Sequence, residues 1–281
     1  GQEWEAYRRM LQDHEAGRFL KRRGYRYVHL GSRWSATARG EMADVNLRYE
    51  TWSEFSTVLY QSTLLPRIVH SMGVAEGALD PRKEAWEITR FQLDMLERAR
   101  DMPGPKLVFA HMLVPHWPHV FDPDGGYVTE EQERRRGYRR VYGDQVAYLN
   151  DRLATLVDHL LAGPEEEHPI IVIQADEGPY PGTRDGFQLP TDAMTPEQLR
   201  DKYSIISAVY LPGASADALP STLSHVNLFR AIFGHEFDAD LRLLPERSYG
   251  TDRRRTRFID ITRILDRAPP AGGAADAAAP A

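Results

Sequence analysis

The sequence predicts an α/β fold in which a mostly parallel sheet is flanked by helices. Short β-rich runs alternate with longer stretches of helical periodicity, an order that is typical of parallel strands joined by crossover helices. The run Lys106–Leu113 is apolar at nearly every position, as expected of a strand that is buried on both faces, and Ile170–Ile173 has the strongest strand pattern in the chain. Ligands of such sheets bind beyond the carboxyl ends of the strands, and candidate functional residues are therefore sought there.

A helix is predicted wherever apolar residues recur at helical spacing and a breaker ends the pattern. Gly24 ends the first helix, and Thr129 with Gln132 forms a capping box at the start of the longest one. The predicted helices are Glu3–Arg23, Thr51–His70, Arg82–Arg100, Thr129–Leu161, Pro196–Lys202 and Ser224–Phe233.

Strands are predicted where β-branched and aromatic residues cluster between turn residues. Residues 31–50, 115–126 and 176–196 are predicted to be loops, and the Ala-, Pro- and Gly-rich tail from residue 268 onward is predicted to be disordered. The predicted strands are Tyr25–Leu30, Lys106–Leu113, Ile170–Ile173 and Ser204–Leu211.

Composition argues against several classes of function. The net charge of −6 disfavours nucleic-acid binding, because neutralising phosphates requires a basic face. The basic clusters Arg134–Arg136 and Arg253–Arg255 sit among acidic neighbours and are interpreted as solvated surface. The absence of cysteine removes thiolate metal sites and a cysteine nucleophile from these residues. No apolar run approaches the ~20 residues that a membrane helix needs.

Two acidic residues, Asp176 and Glu177, follow the strand Ile170–Ile173 and precede Gly178. A backbone turn at the glycine would let both carboxylates reach one cavity. Their mutual repulsion would favour a cation between them. The competing interpretation, of similar weight, is a polar turn that ends the strand.

Three histidines lie at the end of the strand Lys106–Leu113. His111 is predicted within the strand, and His116 lies in a loop stiffened by flanking prolines. Imidazoles at a strand end suit anion recognition, proton transfer or metal ligation. The alternative for His111 is a core histidine bonded to a backbone carbonyl. A functional and a purely structural role are about equally compatible with His116, while His119 is interpreted as a surface residue.

Hydroxyl residues offer a further candidate at the end of the first strand. Ser32, Ser35 and Thr37 all follow Tyr25–Leu30, and any of them could be a nucleophile. Nothing in the sequence distinguishes them from ordinary loop residues. The chain contains neither a phosphate-binding glycine loop nor a GxSxG motif.

The order of several short motifs resembles the sulfatase and alkaline-phosphatase superfamily, including the sulfatase-like membrane phosphoglycerol transferases to which lipoteichoic-acid synthases belong. Phe109–Pro118 is similar to the PHxP element of these proteins, and Ile171–Pro179 is similar to their SDHG element. Other segments that resemble the family are Phe19–Val28, Tyr203–Gly213, Ser224–Arg230 and Leu244–Tyr249.

The resemblance implies a metal-dependent transfer or hydrolysis of a sulfate or phosphate ester. Asp176 matches a metal-binding Asp, and Glu177 stands where the family has a metal-binding His. Exchanging nitrogen for oxygen shifts the expected metal from zinc toward Mn²⁺, Mg²⁺ or Ca²⁺. His116 matches the residue that contacts the substrate oxyanion, whereas His111 has no firm counterpart and is included for its proximity. These groups are expected to meet in one cleft.

The resemblance also implies what the rest of the protein would contain. Family members carry the nucleophile and a further acidic ligand upstream of these motifs, and often a membrane tether outside the cytoplasm. The chain starts at Gly1, within a predicted helix, and is therefore expected to be an N-terminally truncated three-layer sandwich. Residues 1–267 are expected to form the partial catalytic domain, inactive alone, with a substrate that could be linked to a lipid or a glycan.

Two other functions remain open. The Glu at position 177 also suits a non-catalytic relative that serves as a binding or scaffold module. A glycosidase using two carboxylates is less compatible, because such pairs normally come from separate elements.

Overall fold

The computed structural model describes residues 2–49, 62–63, 80–178, 189–215, 217–220, 223–254 and 256–266. The predicted helix Thr51–His70 lies outside these residues, apart from positions 62 and 63, and so does the predicted disordered tail. The chain divides into two compact units, Gly1–Ala162 and Gly163–Ala281. Each unit is described by itself.

The first unit is built on a three-stranded parallel sheet. Strand β1 (Arg26–Leu30) lies between β2 (Val45–Leu47) and β3 (Lys106–Ala110). Val28 is paired with both Val45 and Val108. The helices of this unit are α1 (Gln2–Gln12), α2 (Glu15–Lys21), α3 (Pro81–Ala99), α4 (Glu130–Arg136) and α5 (Tyr138–Leu160). A mixed α/β fold with parallel strands and flanking helices is thus confirmed.

The core of the first unit lies around the central strand and helix α3. Val28 and Leu30 of β1 are fully buried, as expected of a strand with neighbours on both sides. Helix α3 packs against both β3 and α5. Between α3 and α5, Phe121 stacks on Tyr148 with ring centroids 4.4 Å apart, and Leu93 completes this apolar cluster.

Two predicted helices are each divided in the structure. The first breaks before α2, where the His14 ring accepts the amide hydrogen of Gly17 and caps the new helix. The helix predicted over Thr129–Leu161 breaks at Gly137, whose φ of 83° lies in the left-handed region. The Thr129–Gln132 capping box at its start is confirmed.

The sheet of the first unit also differs from its prediction. Strand β2 lies in residues 31–50, which were predicted to be a loop. Strand β3 ends at Ala110, and Phe109 is 40% exposed, so the expectation of burial on both faces was wrong for this strand. The apolar run Lys106–Leu113 continues past the strand because Met112 and Val114 pack on the cluster around Phe121.

The second unit contains two separate antiparallel pairs of strands. Strand β4 (Ile171–Gln174) pairs with β5 (Ser207–Tyr210), so the prediction of parallel strands was wrong here. The hairpin of β6 (Tyr249–Thr251) and β7 (Phe258–Asp260) was not predicted. The helices of this unit are α6 (Pro196–Tyr203), α7 (His225–Phe237) and α8 (Thr262–Leu265).

Helix α7 is anchored by a distant acidic residue. The Glu246 carboxylate accepts hydrogen bonds from the Ser224 amide at 3.0 Å and from Asn227 Nδ2 at 2.7 Å. Burial raises the pKa of Glu246, but these hydrogen bonds outweigh it and the net shift is downward. These hydrogen bonds therefore hold the segments Ser224–Arg230 and Leu244–Tyr249 together.

Among the described helices, none combines the length and the apolar character needed to cross a membrane.

Candidate functional site

The carboxyl ends of β1 and β3 bring together a hydroxyl pair and an imidazole. Thr37 Oγ1 lies 2.7 Å from Ser32 Oγ and 2.7 Å from His111 Nδ1. Ser32 and Thr37 are buried, whereas His111 is half-buried and directly follows β3. The Trp34 ring meets the His111 ring edge to face at a centroid distance of 5.6 Å. These groups occupy the edge where ligands of parallel sheets bind.

The backbone around this group is fixed independently of the hydroxyls. The Ser32 amide donates to the Thr37 carbonyl at 3.1 Å, and the Thr37 amide donates to the Trp34 carbonyl at 3.0 Å. The buried Gln92 side chain donates to the carbonyls of Gly31 and His111 at 3.1 Å and 3.0 Å. Gln92 thereby ties the ends of β1 and β3 to helix α3.

A second series of hydrogen bonds connects His14, Tyr27 and His29 to the loop that carries Thr37. The His14 ring and the Tyr27 hydroxyl are 3.3 Å apart, and that hydroxyl lies 3.1 Å from His29 Nδ1. His29 Nε2 then donates to the Thr37 carbonyl at 2.9 Å. Burial lowers the pKa of both histidines and raises the pKa of Tyr27 to about 12. All three groups are therefore neutral at physiological pH.

His116 lies in an exposed turn between two prolines. The Val114–Pro115 and Trp117–Pro118 bonds are both cis. His116 Nδ1 donates to the Trp117 carbonyl at 2.6 Å, so Nε2 is the acceptor nitrogen of the neutral ring. Trp117, which is 62% exposed, stands beside it. The ring can offer a second N–H only when it is protonated.

His119 is buried, and its interpretation as a surface residue was wrong. Its Nδ1 lies 2.6 Å from Glu133 Oε1, and the other oxygen of that carboxylate is 2.7 Å from Arg82 Nη1. Arg82 Nη2 also donates to the His119 carbonyl at 2.7 Å. This buried network attaches helix α4 to the loop after β3.

Asp176 and Glu177 form an exposed turn at the end of β4. The Glu177 amide donates to Asp176 Oδ1 at 3.0 Å. Gly178 follows, and a Cβ there would lie 2.1 Å from the Asp201 carbonyl oxygen, so only glycine fits. The Gly178 amide donates to the Lys202 carbonyl at 2.7 Å, which fastens the turn to the end of α6.

The Glu177 carboxylate forms an ion pair with Lys202, at 2.8 Å between Oε2 and Nζ. The Lys202 side chain is 11% exposed, and its ammonium contacts Glu177, one of the two predicted metal ligands. Oxygen donors suit a hard cation. The donor set is nevertheless incomplete, because the described part of the chain contains no cluster of three or more ligating side chains. The Lys202 ammonium occupies one oxygen, Oε2, of the Glu177 carboxylate.

The predicted site residues fall into two groups. His111 and His116 belong to the first unit, and Asp176 and Glu177 belong to the second. Their convergence in one cleft stays a prediction. No sequence motif marks Lys202. Ser32 and Thr37 were candidates that no local feature distinguished, because the contact of Thr37 with His111 spans 74 residues.

Comparison with known proteins gives no match to a family model, to a curated protein or to a solved structure. The fold and the site define an α/β protein with a polar site at the carboxyl edge of a parallel sheet.

Proposed function

We propose that this chain serves the metal-dependent hydrolysis or transfer of a sulfate or phosphate ester, on an alkaline-phosphatase-like three-layer α/β sandwich. The observation that carries the proposal is the contact of His111 with the Thr37 hydroxyl, which in turn contacts the Ser32 hydroxyl, at the carboxyl edge of β1 and β3. The resemblance to sulfatase-like proteins supplies the type of reaction. Its substrate would carry a tetrahedral oxyanion, attached to a lipid or a glycan, in a membrane-tethered protein outside the cytoplasm.

Each predicted residue has a role in this proposal. His111 would bind the oxyanion at the edge of the sheet. His116 would contact it as an imidazolium, since Nδ1 already donates to a backbone carbonyl. Asp176 and Glu177 would hold Mn²⁺, Mg²⁺ or Ca²⁺, and Lys202 would compete with the metal for the Glu177 carboxylate. When bound, such a cation neutralises charge on the oxyanion and activates a hydroxyl nucleophile.

The competition between Lys202 and a metal gives a direct test. Calorimetric titration of the full chain with Mn²⁺ should show one site, and Asp176→Ala should weaken binding by about 10- to 100-fold. Lys202→Met keeps the aliphatic stem but removes the ammonium, and it should strengthen binding because Glu177 is released. Glu166→Ala removes an exposed carboxylate from another turn and should leave the affinity unchanged.

Equal Mn²⁺ affinity in the wild type and in Asp176→Ala would remove the metal assignment. A Lys202→Met variant that binds Mn²⁺ more weakly than the wild type would likewise contradict the proposed competition.

The ion pair itself favours a second candidate, a non-catalytic module that binds an oxyanion without metal. Lys202 would then be the permanent partner of Glu177, at 2.8 Å as observed. The two candidates differ in metal dependence. Binding of inorganic phosphate that is unaffected by chelator and by Asp176→Ala would favour the module over the enzyme.

A further inference from the structure

We propose that Ser32 and Thr37 form a hydroxyl relay that fixes the tautomer of His111. The relay keeps His111 Nδ1 as a hydrogen-bond acceptor, so Nε2 carries the proton and can donate to a tetrahedral oxyanion. The oxyanion as ligand rests on the proposed function, whereas the relay rests on the contacts alone. Ser32 and Thr37 are positioning residues, and His111 is the residue that would touch the ligand.

The distances give the relay a direction. The Trp34 amide donates to Ser32 Oγ at 3.0 Å, so this oxygen is already an acceptor. The Ser32 hydroxyl hydrogen can then point to Thr37 Oγ1 at 2.7 Å or to the Trp34 carbonyl at 3.5 Å. The shorter contact is the stronger hydrogen bond. Ser32 therefore donates to Thr37.

The direction at Thr37 determines the state of His111. Thr37 Oγ1 accepts from Ser32 and has one hydrogen to donate, and His111 Nδ1 lies 2.7 Å away. Nδ1 must accept that hydrogen, because two donors cannot face each other. A neutral His111 then bears its proton on Nε2. In the reverse arrangement, His111 would donate to Thr37 and Thr37 would donate to Ser32. The Ser32 hydroxyl would then have to donate to the Trp34 carbonyl over the long distance of 3.5 Å.

The hydroxyls are not needed to close the loop that carries them. Backbone hydrogen bonds between Ser32 and Thr37, and between Thr37 and Trp34, already hold its shape. His29 also binds the Thr37 carbonyl at 2.9 Å. The two hydroxyl groups are buried, yet their hydrogen bonds lead to His111, a half-buried imidazole at the edge of the sheet. What they determine is the orientation and the tautomer of that ring.

Nitrogen NMR of the full chain, labelled in histidine, tests the relay without any assay of activity. The His111 signals are assigned by their loss in His111→Gln. In the wild type, Nδ1 should be unprotonated and Nε2 protonated at neutral pH. Thr37→Val has the same shape as threonine without the hydroxyl and should move the Nδ1 signal toward that of a non-bonded nitrogen. Thr37→Ser should restore it, and Ser32→Ala should give a smaller shift.

A wild-type His111 protonated on Nδ1 would overturn the relay, as would a Thr37→Val variant with unchanged Nδ1. The backbone amide spectrum of each variant establishes that it is folded, and Ser32→Ala provides a second test should Thr37→Val unfold.

Titration with inorganic phosphate and with inorganic sulfate tests the role of Nε2. Either anion should move the Nε2 signal, and Thr37→Val should bind it about three- to tenfold more weakly because one oriented donor is lost. An Nε2 signal that neither anion moves would overturn the assigned ligand. A protein that keeps these responses but binds no Mn²⁺ at Asp176 would reject the proposed function and leave the present inference standing.

Discussion

At the scale of single residues, His14, Tyr27 and His29 form a hydrogen-bond chain in which each residue donates to the next. The His14 ring accepts the Gly17 amide at Nδ1, so its Nε2 donates to the Tyr27 hydroxyl. That hydroxyl donates to His29 Nδ1, and His29 Nε2 donates to the Thr37 carbonyl. Protonating His14 would place two donors against each other at its Nδ1, and protonating His29 would remove the acceptor of the Tyr27 hydroxyl hydrogen. The chain requires both histidines to be neutral.

The hydrogen-bond chain of His14, Tyr27 and His29 makes the stability of the protein sensitive to acid. Burial lowers the pKa of His14 and of His29 below the ordinary value of 6.5. Stability from the neutral rings is therefore fully present above pH 6.5 and is lost as the pH falls through that value toward the folded pKa. His29→Gln should destabilise the protein by about 1–3 kcal/mol at pH 7.5, because the buried Tyr27 hydroxyl loses its acceptor.

The same substitution should cost less at pH 5.5, where the wild-type histidine is already unfavourable. Urea unfolding of the wild type and of His29→Gln at the two pH values measures the difference. His235→Gln, on the exposed side of α7, is the control and should change stability little at either pH. A cost of His29→Gln that is equal at both pH values would contradict the neutral chain.

Single residues were predictable from the sequence where their neighbours determine them. The Thr129–Gln132 capping box needs only a spacing of three residues, and the structure confirms it. His119 was assigned to the surface because its partner Glu133 lies 14 residues away, beyond the reach of any local pattern. The hydroxyl partners of His111 were hidden for the same reason.

At the scale of elements, Gly137 separates α4 from α5 through its backbone conformation. Its φ of 83° is one that residues with a Cβ rarely adopt. Gly137→Ala should therefore destabilise the protein by about 1–2 kcal/mol, although no neighbouring atom obstructs the added methyl group. Thermal unfolding monitored by circular dichroism measures the loss.

Gly143 is the matched control for this prediction. It lies within α5, has an ordinary φ, and its added Cβ would also meet open space. Gly143→Ala should stabilise the protein by about 0.5–1 kcal/mol, because alanine favours a helix interior. Changes of the same sign in the two variants would show that the conformation of Gly137 does not control the helix break.

Elements were predictable where their pattern is long, as for α3, whose predicted and observed bounds agree within one residue. Strand β2 has three residues, and its Asn46 binds the backbone of Gly40, so the local sequence resembles a loop. The strand exists because β1 supplies its hydrogen-bond partners. The antiparallel pairing of β4 with β5 was missed because an apolar run does not encode strand direction.

At the scale of the whole molecule, the boundary between the two compact units lies between Ala162 and Gly163. The sequence has Gly163-Pro164 and an acidic run at this point, directly after the predicted helix Thr129–Leu161. Dividing the chain there requires knowledge of which strands pair. Within the described residues, pairing stays inside each unit.

The sheets of the two units differ in the number of paired strands and in the burial of their residues. Hydrogen exchange should detect this difference. Strand β1 has a neighbour on each side, and four of its five residues are buried. Strand β5 is paired with β4 alone in the described part of the chain, and its first two residues are exposed. Amides exchange slowly where their hydrogen bonds are buried and open only with the fold.

Mass spectrometry of the full chain in D₂O should therefore find peptides of β1 among the slowest to exchange. Peptides that cover β5 should exchange at least about tenfold faster, since a two-stranded ribbon is only marginally stable by itself. The α5 segment around Tyr148 serves as an internal reference. Its side chains include buried ones, and its amides should be protected from exchange like those of β1. If β5 exchanged as slowly as β1, the expectation that the two-stranded β4–β5 ribbon opens more readily than the three-stranded sheet would be wrong.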